Sequence, residues 1–190
     1  MAIHFWRWYD NSGGRDIMLT YVLATITGRE EKTKKLIEEI TCNARLFIPQ
    51  KITVRKYEGA WHEEIQKLFP GYIFVETDDI AAFVDTLPKS FFNTFMKVIG
   101  KNDQLYLSVK EEELTWIRKL CGDDFTATLS KGIKENGKIR FTSGPLVGME
   151  GLVRKVDRHH RIVTLEMEMF GRVQPINLGA EILNAAERTS

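Results

Sequence analysis

Leu68-Phe69-Pro70-Gly71-Tyr72-Ile73-Phe74-Val75 is the stretch on which the fold turns. Proline fixes φ at about −65° and glycine accepts a positive φ, so Pro70-Gly71 reads as a tight bend. The residues after it are aromatic or β-branched, which favours a strand. Strict alternation puts Phe69, Gly71, Ile73 and Val75 on one face and Pro70, Tyr72 and Phe74 on the other. Both faces are apolar. One must be core, and an apolar face left open on a small domain usually marks a partner site.

Upstream of this strand, Leu19–Thr25 is strand-like and Thr27-x-x-Glu30 reads as a capping box. Thr33, Leu36, Ile37 and Ile40 then recur at helical spacing. Residues 46–57 read as an extended basic segment, followed by a polar loop near 59–66. Downstream, Asp78-Asp79 caps a short helix, Met96-Lys97-Val98-Ile99 is a short strand, and Ser108 caps a helix near 110–120. That helix carries Glu111, Glu112 and Glu113 in its first turn and Arg118 and Lys119 near its end, as the helix dipole favours.

A second informative stretch is Gly144-Pro145-Leu146-Val147-Gly148-Met149-Glu150-Gly151. Its glycines suit the sharp bends of a tightly closed barrel. Short strands are expected at 137–142, 151–156, 162–169 and 172–176. The chain therefore reads as α+β: an antiparallel sheet flanked by helices over 18–121, a linker at 122–129, and a small five-stranded β-barrel over 130–190. Residues 1–17 show no periodicity and read as a mobile extension, with Met18 an alternative start.

Composition sets the outer limits. Apolar residues at 43% and charged residues at 28% are ordinary for a globular chain of 190 residues. A net charge of +1 excludes a wholly basic nucleic-acid coat but leaves room for local basic patches. Cys42 and Cys121 have no CxxC spacing, which argues against a zinc site or disulfide framework and fits a reducing cytoplasm. There is no apolar run of the roughly 18 residues a membrane span needs. No metal or cofactor is implied.

Two basic sets stand out. Lys51, Arg55 and Lys56 are less diluted by acidic neighbours than the lysines of the first helix. Arg154, Lys155, Arg158, His159, His160 and Arg161 surround a hairpin turn with Asp157 among them. Hairpin tips ordinarily favour Asn, Gly or Asp, whereas paired histidines and arginines suit phosphate and stacking contacts with RNA. A solvated hairpin tip is the simpler alternative. A metal reading of the histidine pair lacks a third ligand at suitable spacing. Phe170, in Phe170-Gly171-Arg172, is either barrel core or an exposed aromatic.

These motifs, in this order, resemble the NusG family. Tyr21-Val22-Leu23, Thr27-Gly28-Arg29-Glu30-Glu31-Lys32, the Phe-Pro-Gly-Tyr strand and Ser108 before a Glu-rich helix are similar to its NGN domain. Gly144–Gly151 and Phe170-Gly171-Arg172 before Pro175 are similar to its KOW domain. Thr20-Tyr21 departs from the Trp-Tyr with which family members usually begin. The basic 155–161 turn resembles the LoaP branch, specialised antiterminators that recognise an RNA hairpin.

The resemblance implies a non-catalytic, monomeric transcription elongation factor. Phe69, Pro70, Gly71, Tyr72 and Phe74 would form a pocket for the clamp helices of RNA polymerase. Higher affinity for the closed clamp would shift polymerase toward it and so promote processive antitermination. A nascent RNA hairpin would recruit the factor through the basic sets, and Phe170 would dock a ribosomal protein or a termination factor. The alternatives are a housekeeping elongation and termination-coupling factor, or a stand-alone KOW RNA-binding protein. An enzyme is disfavoured by the lack of a phosphate loop, nucleophile elbow or HExxH motif.

Overall fold

The computed structural model describes residues 18–94, 96–98 and 108–184; the expected extension at 1–17 lies outside them. The N-terminal half runs β1 (Leu19–Thr25), α1 (Glu30–Ile40), β2 (Arg45–Phe47), β3 (Gln50–Tyr57), β4 (Ala60–Lys67), β5 (Tyr72–Thr77), α2 (Ile80–Thr86), α3 (Lys89–Thr94), β6 (Met96–Val98) and α4 (Glu111–Cys121). After β7 (Thr126–Ala127), the C-terminal half adds β8 (Ser130–Glu135), β9 (Lys138–Ser143), β10 (Val153–Asp157), β11 (Ile162–Met169) and β12 (Arg172–Asn184). The α+β architecture is the expected one: an antiparallel sheet with helices, then a five-stranded β-sheet unit.

The first sheet has the order β2-β5-β1-β6, all antiparallel. One face, bearing Tyr21, Leu23, Ile73 and Val75, is closed by Ile37 of α1 and by Ile80 and Phe83 of α2. The opposite face, bearing Val22, Phe47 and Phe74, meets Leu114, Ile117 and Leu120 of α4. That second cluster does not stop at the domain. It runs on through Phe125 and Ala127 into the barrel residues Leu146, Val163, Leu165 and Leu178.

The second sheet has the order β10-β11-β12-β8-β9. β12 is longer than the expected 172–176 because its two halves have different partners. Arg172–Gly179 pairs antiparallel with β11, and Ala180–Asn184 pairs parallel with β8. A third, small sheet joins the halves: β3 and β4 form an antiparallel ribbon, and β7 adds to β3 in parallel at Gln50↔Thr126 and Lys51↔Ala127.

Four local expectations are corrected. The polar loop near 59–66 is strand β4, the outer strand of its sheet; it lacks apolar alternation because none of its residues is buried, and Ile65 is 68% exposed. Leu36 and Ile40 of α1 remain exposed, so Thr33 and Ile37 carry its buried stripe. Ser108 bridges to Tyr21 instead of capping α4; the cap position falls to Lys110, whose N–H donates to Glu113 Oε2 at 3.1 Å.

The fourth concerns the capping box. α1 begins at Glu30 itself, with no side-chain cap from Arg29 before it. The Glu30 carboxylate accepts the N–H of Gly28 at 2.9 Å and, across the domain, the N–H of Gly71 at 2.6 Å. Gly71 needs that anchor. Its φ is +85°, and a Cβ there would lie 3.2 Å from Thr27 Oγ1 and 3.3 Å from the Thr25 carbonyl. Burial pushes the Glu30 carboxyl up. The N–H groups at Glu30, Gly71 and Gly28, with the Lys67 cation, outweigh that and hold it below the usual carboxylate range.

Candidate functional site

The bend that Glu30 anchors also breaks strand alternation. Phe69 therefore joins Phe74, with ring centroids 5.9 Å apart, rather than the Ile73 face expected for it. Phe69, Tyr72 and Phe74 form one aromatic surface. Phe69 and Phe74 are 4% and 0% exposed, so this surface is not open to water.

Part of what covers it comes from the other half of the chain. Phe170 lies in the turn between β11 and β12, with φ +55°. Its ring centroid stands 5.7 Å from that of Phe69, 5.5 Å from Tyr72 and 6.0 Å from Phe74. The Phe170 N–H donates to Glu113 Oε1 at 2.7 Å, while the other oxygen of that carboxylate holds the Lys110 N–H. Arg172 Nη2 donates to the Tyr72 hydroxyl at 3.2 Å. Thus Phe170 and Arg172 of Phe-Gly-Arg reach the Phe-Pro-Gly-Tyr strand, and Phe170 also reaches α4. Pro70 is exposed beside this seam and Gly71 is buried beneath it.

A second seam lies along β3. Gly179 of β12 approaches the β3 backbone so closely that a Cβ would sit 2.5 Å from the Ile52 carbonyl and 3.2 Å from Thr53 Cα. Nearby, the Arg161 guanidinium lies 4.1 Å over the Trp61 ring and pairs with Glu181 at 2.9 Å. Between the β3–β4 ribbon and the barrel turn is a cleft of about 570 Å³, lined on one wall by Arg55, Lys56 and Trp61 and on the other by His159, His160 and Ile162. Glu64 and Gln66 also line it.

This cleft sorts the basic candidates. Arg55, Lys56, His159 and His160 are exposed and converge on it. Lys51 does not join them. It is half-buried where β7 pairs with β3, and burial pulls its ammonium pKa down. Arg154 pairs with Glu166 at 3.0 Å, and Arg158 Nε donates to the Ile182 carbonyl at 3.3 Å. Lys155 is exposed on β10, outside the cleft lining.

Asp157 shapes the turn. Its carboxylate accepts the His160 backbone N–H at 2.9 Å and contacts the His160 ring at 2.8 Å. Those backbone and side-chain hydrogen bonds hold the Asp157 carboxyl below its usual range. Among the described residues no group of three or more His, Cys, Asp or Glu is placed to hold a metal ion. Cys121 is buried, and burial pushes its thiol up to about 12. No described helix is long and apolar enough to cross a membrane.

Sequence reasoning missed Glu113, Trp61 and Gly179 as residues that join the two halves. The glutamate was legible only as helix-dipole charge, because its second partner is 57 residues away.

Comparison with known proteins agrees with this architecture. The family described as "Transcription termination factor nusG" matches residues 20–118, over half of the chain. The transcription termination/antitermination protein NusG of Staphylococcus aureus, in strains Mu50 and N315, is 26% identical over 168 residues, covering 83% of this chain and 90% of the relative. A solved structure described as "Domain interaction in Thermotoga maritima NusG" superposes with a TM-score of 0.53 at 23% identity, covering 86% of this chain and 94% of that one; at that identity it speaks to the fold alone. The chain belongs to the NusG family, non-enzymatic transcription factors of the termination/antitermination type built from an NGN and a KOW domain.

Proposed function

We propose that this chain binds the clamp helices of RNA polymerase through Phe69, Pro70, Tyr72 and Phe74 and promotes processive antitermination in the cytoplasm. A nascent RNA hairpin recruits it through exposed basic residues. The observation that supports this most is the covering of the aromatic surface. An apolar face closed partly by α4 of its own domain and partly by a residue of the second domain is suited to exchange that second partner for another.

The energetics permit that exchange. Aromatic pairs contribute about 0.5–1.5 kcal/mol each beyond area burial, and a hydrogen bond to a charged group about 1.5–3 kcal/mol. The Phe170 latch is therefore worth a few kcal/mol, below the roughly 8 kcal/mol of a micromolar partner. Polymerase displaces Phe170, which is then free to meet a ribosomal protein or a termination factor. Gly71 contributes indirectly, by holding the bend.

The test is transcription in vitro through a terminator downstream of a candidate leader hairpin, paired with capture of purified polymerase. Wild type should raise read-through, and Tyr72→Ala should lose capture. Read-through that is unchanged by the protein removes antitermination. Read-through that ignores the hairpin leaves a general elongation factor.

A further inference from the structure

We infer that the cleft between the β3–β4 ribbon and the barrel turn is one composite RNA site that exists only while the two domains are docked, so that bound RNA holds Phe170 on the aromatic surface. This rests on the RNA reading above and adds the sign of its coupling to docking.

The cleft is made by both domains. Arg55, Lys56 and Trp61 come from the N-terminal domain; His159, His160 and Ile162 come from the barrel. Neither wall alone is a concave site. Arg55 and Lys56 stand on an exposed ribbon, and the histidines stand on an exposed turn. The walls meet because Arg161 stacks on Trp61 and because Gly179 lets β12 lie against β3.

The chemistry favours unpaired RNA. Two cations face Glu64 as the one carboxylate lining the cleft, and the imidazoles of His159 and His160 lie edge to face at 4.9 Å. Val54, Trp61 and Ile162 provide an apolar lining for bases. A volume of about 570 Å³ suits a nucleotide or two from a loop rather than a duplex.

Linkage then fixes the direction. A ligand that touches both walls binds the docked form better, and it shifts the population toward that form by the ratio of its two affinities. The effect is reciprocal. RNA in the cleft opposes exposure of Phe69, Tyr72 and Phe74, so a recruiting hairpin delivers the factor in its docked form and must leave the cleft before polymerase is gripped.

Two measurements on the full chain test this. The first is fluorescence anisotropy with a labelled stem-loop RNA bearing single-stranded flanks, and with the DNA hairpin of the same sequence. Wild type is compared with a Phe170→Ala/Glu113→Gln chain, whose changes lie outside the cleft. RNA affinity should fall about tenfold when the latch is cut. The second needs no variant: hydrogen exchange at the Phe170 amide of wild type should slow when RNA is bound.

Equal RNA affinity in both chains, or Phe170 exchange that RNA leaves unchanged or accelerates, overturns the coupling and leaves RNA recruitment standing. Absence of RNA binding by wild type, or binding no tighter than to the DNA hairpin, removes the RNA reading as well.

Discussion

The two faces of the N-terminal sheet are equally apolar but are finished differently. Ile73 and Val75 look toward helices α1 and α2 of their own domain. Phe74, one residue away from each, looks toward α4 and toward a phenylalanine 96 positions later in the chain. The first face is permanent core. The second is a joint, where the same hydrophobic gain supports folding and also sets the arrangement of two domains. Apolar content cannot distinguish such faces; only the origin of the covering residue does.

The largest effects should come from cutting into each face in turn. Ile73→Ala should cost about 2–5 kcal/mol and Phe74→Ala about 3–5 kcal/mol, because each leaves a cavity under a fully buried side chain. Urea denaturation reads both. Small-angle scattering should separate them: Phe74→Ala loosens the domains, and Ile73→Ala leaves them docked. The distinction between core and joint fails if the two variants scatter alike.

Next in size is the anchor of the bend. Glu30→Gln keeps the shape but removes the charge that accepts the Gly71 and Gly28 N–H groups, at a cost of about 1–3 kcal/mol. The sign with pH follows from the lowered carboxyl pKa. Stability from Glu30 is present above the unfolded carboxyl value of about 4.3 and is lost as the pH falls through the lower folded value. Wild type should therefore lose part of its advantage over Glu30→Gln in acid. A constant gap between the two across that range would assign the effect to packing.

Phe170→Ala should act on the joint alone. The N-terminal domain keeps its own core through α4, so its denaturation midpoint should move little. Polymerase capture should strengthen several-fold, because the aromatic surface no longer has to be uncovered. Weaker capture would mean that Phe170 belongs to the polymerase contact itself.

What the sequence disclosed divides along the same line. The Pro-Gly strand, the Asp79 cap with its 2.9 Å bond from Ala82, and barrel strands β9 to β11 were legible because bends, caps and alternation are local. Strand β8 and the second half of β12, which pair in parallel with each other, were not. The aromatic surface was legible as residues but not as a contact, since nothing in Phe69-x-x-Tyr72-x-Phe74 says that Phe170 will lie on it. Strand β4 was missed because it is the outer strand of its sheet and none of its residues is buried, so nothing imposes a pattern on it. The basic turn was legible as charge. Which members remain free was not, because Arg154, Arg158 and Arg161 are engaged by Glu166, the Ile182 carbonyl, Glu181 and Trp61.

The smallest expected effect sharpens that last point. If only Arg55, Lys56 and His159 meet phosphate in the cleft, with the His160 ring held by Asp157, the basic residues are not equivalent. Removing a phosphate-contacting cation lowers the salt dependence of binding by about one unit of slope, and weakens binding to all sequences alike. Arg55→Ala should show that signature against the stem-loop RNA. Arg154→Ala should not, since its guanidinium already faces Glu166 at 3.0 Å on an exposed strand pair, and such pairs are worth at most about 1 kcal/mol. Titrations at several salt concentrations decide between them. Equal slopes for the two variants would mean that the whole basic turn meets RNA as a diffuse patch, and that the cleft confers no selectivity among its cations.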